Sequence, residues 1–302
     1  LTRSTNAACD TCFTDSRCSK FSHMENYDCR LTCKKEDKPK ADSMLGISVL
    51  SISQATTATF TELYFQHTFL FFIQAGSKRV LCPINGELIG DAEDVMVFPP
   101  GAIVTMENRP VLGNDYRATG VCFPHRMIET VFSQGKSNLE PTGIQLLQDS
   151  EGQSLQILNA VQATLKDTAL PDPIRQHRFL EPLIWLKYND IYLSPQEEER
   201  PLSKVRRLIQ TDLSHPWRSN EVAEHFSMSE ATMRRWLAKS GQGFSKILQN
   251  TRLEHGLSLL QSTNISILDI ALSCGFKSPS HFSDSFRKRF EITPSEIRKV
   301  GE

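Results

Sequence analysis

Residues equipped for chemistry gather at both ends of this 302-residue chain. Five of its eight cysteines fall in the first 45 residues. Cys9-x-x-Cys12 and Cys29-x-x-x-Cys33 are two clips that together supply four thiolates to a tetrahedral zinc ion. The segment around them, residues 1–43, is polar and lacks hydrophobic period, as expected of a disordered leader or of sequence upstream of a true start at Met44. Both readings stay open. At the other end, Arg234 and Arg235, and later Arg287, Lys288 and Arg289, stand between apolar residues spaced for one helix face. A guanidinium pairs twice with guanine O6 and N7, and lysine neutralises phosphate, so a nucleic acid is the chemistry these groups suit.

Other chemistries find less support. No nucleophile motif, phosphate loop or dinucleotide fingerprint occurs, and His67 and His125 stand apart with no H-x-H, so neither an enzyme nor a cofactor is expected. No apolar run approaches the roughly 18 residues of a membrane span, and no export signal opens the sequence. A cytoplasmic protein is expected. Cys82, Cys122 and Cys274 sit beside apolar residues, where small thiols are buried. Lys78 and Arg79 follow Gly76 at the end of the aromatic run HTFLFFI. They suit either a ligand carboxylate or a solvated turn.

Charge is uneven. From Pro201 onward there are 15 Lys+Arg against 10 Asp+Glu, a balance of +5; the first 200 residues hold 19 against 25, a balance of −6. The basic end fits an anionic partner.

The elements that must position these groups follow from periodicity. Residues 44–150 carry short apolar runs, HTFLFFIQAG, KRVLCPINGELIG, DVMVFPPGAIVTME and DYRATGVCFP, with Asn85-Gly86 as a hairpin signal. They predict a small barrel or sandwich, its interior built from Phe69, Phe71, Ile73, Val97 and Phe98. Such an interior either holds a small ligand or is packed solid. Residues 152–193 turn helical, burying Leu155, Leu158, Val161 and Leu165, then Ile174, Phe179, Leu183, Leu186 and Ile191. Residues 194–201 read as a linker. From Leu202 all is helical. Val222, Ala223 and Phe226 form one face, Ser229 caps the next helix, and Met233, Trp236 and Leu237 are buried. The plan repeats with Ile267, Ile270 and Ala271, a Gly275 turn, Pro279 at a helix start, and Phe282, Phe286 and Phe290 inside. These are two helix-turn-helix units, joined by one long helix over FSKILQNTRLEHGLSLLQST.

At RLEHGLSLLQSTNISILDIALSCGFKSPSHFSDSFRKRFEITPSEIR the sequence resembles the AraC family of bacterial transcription regulators. The features that match are Ile270-Ala271, Gly275-Phe276, Ser278, Phe282 and Phe286, and Thr293-Pro294-Ser295. Ala223, Ser229 and Arg235 add the first unit. The resemblance implies an α+β chain: a cupin-like barrel with dimerising helices over 44–193, and a DNA-binding domain over 202–302. FIQAGSKRV and DVMVFPPGAIV look like that barrel. On the first recognition helix, Ser229 to Lys239, it implies DNA contacts from Ser229, Ala231, Thr232, Arg234, Arg235 and Lys239. On the second it implies Ser280, His281, Ser283 and Asp284 toward the bases, with Ser278, Arg287 and Lys288 on phosphates. The family often has Arg where Asp284 stands, and a carboxylate repels phosphate. The implied partners are promoter DNA, RNA polymerase for an activator, a second copy of the chain, and a fatty-acid-like effector such as virulence-associated relatives bind. Arg252 is expected to brace the two units rather than touch DNA. The alternative is a zinc-thiolate sensor or alkyl-accepting repair regulator using the leader cysteines. Relatives of that kind have C-x-x-x-C before C-x-x-C, the reverse of the order here.

Overall fold

The structure, a computed structural model, describes residues 46–111, 113–133, 143–149, 151–194 and 200–298. The leader with its cysteine clips, Met44 and residues 195–199 of the linker lie outside them. The strands are β1 (Ser48–Gln54), β2 (Ala58–Phe65), β3 (Thr68–Ala75), β4 (Ser77–Cys82), β5 (Gly86–Gly90), β6 (Val95–Phe98), β7 (Ala102–Arg109), β8 (Tyr116–Phe123) and β9 (Gln145–Leu147). They form two sheets, in the orders β1-β8-β3-β6-β9 and β2-β7-β4-β5. The pairs are antiparallel throughout. The barrel expectation is thus refined: the described strands make two facing sheets, not one closed cylinder. The chain crosses between them after β3 at Gly76, whose φ of 79° and contact with the Arg109 carbonyl suit only glycine. The β4–β5 hairpin turns over three residues, 83–85, and Gly86 takes positive φ while Asn85 does not. A two-residue turn, where both residues need positive φ, is therefore not what forms.

β3 and β6 are buried on both faces, which is why they read as unbroken apolar runs. Phe71, Ile73, Met96 and Phe98 point between the sheets, while Leu70, Phe72, Val95 and Val97 point to helices on the outer face of the larger sheet. Val97 is therefore not interior as expected, because it alternates with Phe98; Phe69 is half-buried. Those helices are α1 (His125–Phe132), α2 (Gln153–Lys166) and α3 (Asp172–Tyr188). No helix is expected from sequence before residue 152, so α1, with Met127, Ile128 and Phe132 buried, is an addition. Leu155 and Ile174, expected in the core, are exposed, and Ile184 and Tyr188 are exposed with them. The buried face of α2 runs through the expected Leu158 and Val161 together with Ile157.

The C-terminal part comprises α4 (Pro201–Thr211), α5 (Ser219–His225), α6 (Glu230–Ala238), α7 (Phe244–Ser262), α8 (Ile267–Ser273), α9 (Pro279–Phe290) and α10 (Pro294–Arg298). The long helix expected between the units is α7. No described helix is long and apolar enough to cross a membrane.

The two parts meet along β2, an edge strand. Phe60 meets the Phe290 ring edge-on with centroids 5.5 Å apart. Glu62 pairs with Lys246 at 2.9 Å, and its carbonyl accepts from Arg289 at 3.3 Å. Tyr64 bonds Ser203 through its hydroxyl and lies under the Arg206 guanidinium, 4.5 Å from the ring centre. A register shift between Phe60 and Leu63, with Glu62 at φ 51°, is the bulge that turns these side chains outward.

Candidate nucleic-acid interface

α5 and α6 form the first unit. Val222, Ala223, Met233 and Leu237 are buried where the helices cross. The chain turns through Ser227 at φ 55°, and Ser229 then caps α6, its Oγ accepting from the Thr232 amide at 3.2 Å. Thr232 Oγ1 lies 2.9 Å from the same Oγ, so this hydroxyl strengthens the cap. With those faces buried, Ala231, Arg234, Arg235 and Lys239 are exposed. Trp236 is half-buried against Phe226, its ring centre 5.4 Å away.

α8 and α9 repeat the plan. Ser266 caps α8 and Ser278 caps α9, each accepting from the amide three residues on. The Gly275 turn has φ 75°, and a Cβ there would strike the Leu213 carbonyl and Arg252. Phe282, Phe286 and Phe290 are buried as a run of rings with centroids 5.5 and 4.7 Å apart. That leaves Ser280, His281, Asp284, Arg287 and Lys288 exposed and Ser278 and Ser283 half-buried. The residues expected on each recognition helix are thus brought onto one accessible face of that helix. Cys274 is core: burial pushes its thiol up to about 12.

What holds the units in register was only partly expected. Arg252 does brace them, donating to the carbonyls of Leu213 at 3.0 Å and His215 at 2.7 Å. Glu254, two residues further along α7, pairs with Arg206 of α4 and with Arg289 of α9. Arg298 donates to the carbonyls of Leu260, Thr263 and Ile265, satisfying the open end of α7. Gly256 lets α9 approach, since a Cβ there would lie 2.7 Å from the Phe282 ring. A glycine inside a long helix was the one sequence signal for this contact.

Lys78 and Arg79 part company. Arg79 faces out of the sheet and pairs with Glu87 at 2.5 Å. Lys78 is fully buried, donating to Asn108 Oδ1 at 2.6 Å, with its Nζ about 5 Å from the ring centres of Phe71 and Tyr116. Burial pushes its ammonium down to about 7. The Tyr116 hydroxyl is buried with no hydrogen-bond partner among the described residues, and burial pushes its pKa up. Phe65, Phe69, Phe71 and Phe98 pack together nearby, with centroids 4.5–5.9 Å apart.

Comparison with known proteins agrees with this layout. Residues 222–300 match the family described as "Helix-turn-helix domain". The chain is 32% identical over 96 residues to the HTH-type transcriptional regulator YdeO of Shigella flexneri, covering 32% of this chain but only 38% of that relative's length. It is 28% identical over 185 residues to the thermoregulatory protein LcrF of Yersinia pestis, covering 58% of this chain and 67% of LcrF. Among solved structures, an apo ToxT variant of Vibrio cholerae superposes with a TM-score of 0.63 at 15% identity, covering 83% of this chain and 96% of ToxT. Wild-type ToxT bound to an unsaturated fatty acid gives 0.59 at 16% identity, over 85% and 96%. At such identities the likeness is one of fold, and it spans both parts of the chain. The C-terminal part of this chain thus carries an AraC-type helix-turn-helix DNA-binding domain.

Proposed function

We propose that the chain is a sequence-specific transcription regulator whose N-terminal sheets report a small carboxylate to the DNA-binding domain. The observation that carries the DNA-binding part is the pair of capped recognition helices, each with one face left exposed. Arg234 and Arg235 read bases on the first, with Ala231 against a thymine methyl and Ser229, Thr232 and Lys239 at its edges. On the second, Ser280, His281 and Ser283 reach toward the groove. Arg287, Lys288 and Ser278 grip phosphates, and Asp284 selects against close phosphate approach. The relatives are transcription regulators, so the reading is of a regulator rather than an enzyme, acting in the cytoplasm on promoter DNA, and with RNA polymerase where it activates. Lys78 and the Tyr116 hydroxyl, buried and short of acceptors, suit a carboxylate whose tail lies against the neighbouring phenylalanines. ToxT, a structural neighbour, binds an unsaturated fatty acid. Ile174, His177, Glu181, Ile184 and Tyr188 recur at three- and four-residue spacing along exposed α3, a seam that suits pairing with a second copy.

The deciding experiment maps chromosomal sites bound by the full chain, then compares affinity for a recovered promoter and for its shuffled sequence. Equal affinity for both overturns the reading. Failure of oleate to bind would remove the carboxylate effector and leave the rest.

A further inference from the structure

Four buried side chains run in a hydrogen-bonded line from the sheets into the DNA-binding domain. Lys78 Nζ donates to Asn108 Oδ1 at 2.6 Å, and Asn108 Nδ2 donates to Gln54 Oε1 at 2.9 Å. Gln261 Nε2, from the last turns of α7, donates to that same Gln54 oxygen at 2.9 Å. Lys78, Asn108 and Gln54 are fully buried, and Gln261 nearly so. Gln54 is held from its other side, since its Nε2 donates to the Thr56 carbonyl at 2.6 Å. Thr56 in turn donates its hydroxyl to the Glu296 carbonyl of α10 at 3.0 Å.

The line has a polarity. A protonated lysine only donates, so Asn108 must face it with oxygen. Asn108 then offers its NH2 to Gln54, which must answer with its own oxygen. That oxygen is the acceptor Gln261 uses. Because all four side chains are buried, reversing one carboxamide would leave like atoms facing each other, a cost on the scale of an unsatisfied buried group.

We propose that Gln54 is the positioning residue through which the state of Lys78 sets the grip of the sheets on α7. The ligand half of this inference rests on the carboxylate reading above. When an acceptor draws the Lys78 ammonium away, Asn108 is free to turn its amide, Gln54 Oε1 loses a donor, and the Gln261 bond is released or reset. α7 carries that change to α8 and α9, because Gln261 lies only six residues before α8 begins. Gln54 and Gln261 are 207 residues apart in sequence, and nothing in their local sequence marks them as partners.

The test is a double-mutant cycle on the full chain with Lys78→Met and Gln261→Leu, whose side chains are joined through Asn108 and Gln54. Promoter affinity and urea stability are both measured, so a variant that loses one readout still reports through the other. We expect the two effects to miss additivity by roughly three- to tenfold in equilibrium constant. In a Gln54→Leu background the same pair should be additive, and Gln54→Glu, which keeps an acceptor facing both amides, should preserve the coupling. Additivity in the wild-type background overturns the proposal. Oleate separates this idea from the one beneath it. If oleate does not bind but the cycle is coupled, the relay stands and the carboxylate reading falls. If oleate shifts promoter affinity equally in wild type and Gln54→Leu, the relay falls and the carboxylate reading stands.

Discussion

Arg289, the last arginine of the second recognition helix, turns away from the exposed face and pairs with Glu254 of α7 at 2.5 Å. Its other amine donates to the Asn250 carbonyl at 2.9 Å. Glu254 also holds Arg206, which is 1% exposed. One carboxylate thus ties α4, α7 and α9 together, and the basic run Arg287-Lys288-Arg289 divides into two outward charges and one brace.

Removing Glu254 should cost more than removing any exposed charge. Glu254→Ala strands two guanidinium groups, one fully buried, and is expected to lower unfolding free energy by roughly 3–5 kcal/mol. Tyr64 beneath Arg206 offsets part of this. The double change Arg206→Met with Glu254→Leu leaves no buried charge between them and should be less destabilised than Glu254→Ala. Urea denaturation of the three proteins checks the order, and a double variant weaker than the single would sink the account.

Arg235 should matter to DNA and not to folding. Its side chain is exposed and makes a long 3.4 Å bond to the Ala231 carbonyl of its own helix. Arg235→Ala is expected to cost roughly 1–3 kcal/mol of promoter affinity while the urea midpoint stays fixed. Lys288→Ala should instead weaken promoter and random DNA alike, and reduce the salt slope of log K by about 1. Fluorescence anisotropy at several salt concentrations distinguishes the two patterns.

Much of this was legible in the sequence, for local reasons. Ser229 caps its helix through a contact three residues away, and the Phe282, Phe286 and Phe290 face follows from helical period alone. β3 and β6 announced themselves as apolar runs. What sequence did not offer depends on pairing distant in the chain. The sheet order, the outward bulge at Glu62, the Glu254 brace and the Gln54–Gln261 bond each join residues whose own neighbourhoods are unremarkable polar stretches. Lys78 and Arg79 show the same limit. Adjacent residues of a strand face opposite ways, and only the sheet decides which is inside.

Gly275 should be irreplaceable in the second unit. Its φ of 75° disfavours any side chain by roughly 1–2 kcal/mol, and a Cβ would also strike the Leu213 carbonyl. Gly275→Ala is expected to lose at least that much stability. It should also disturb Arg252, which bonds the same carbonyl. Ser227 holds φ 55° at the matching turn of the first unit without such a contact being needed, so Ser227→Ala should be milder. Thermal unfolding of both variants gives the comparison; equal losses would mean that neither the positive φ nor the Leu213 contact at Gly275 costs stability.

The buried lysine makes a prediction about pH. In the unfolded chain Lys78 keeps its proton up to about 10.5, but in the fold burial brings that point down to about 7. Between these values the unfolded state binds the extra proton, so stability attributable to Lys78 rises with pH from about 7 to about 10.5. Below 7 both states are protonated and the full cost of burying the charge is present; above 10.5 both are neutral and none of it remains. From pH 7 to pH 9 the relief amounts to about 2 kcal/mol. Lys78→Met has no such proton, so the stability of the variant relative to wild type should shrink by that amount across the interval. Other titrating groups are common to both proteins and cancel in the difference. Urea titrations of the two at pH 7, 8 and 9 measure it directly, and a difference that stays constant with pH would place the Lys78 ammonium in contact with solvent or with a carboxylate.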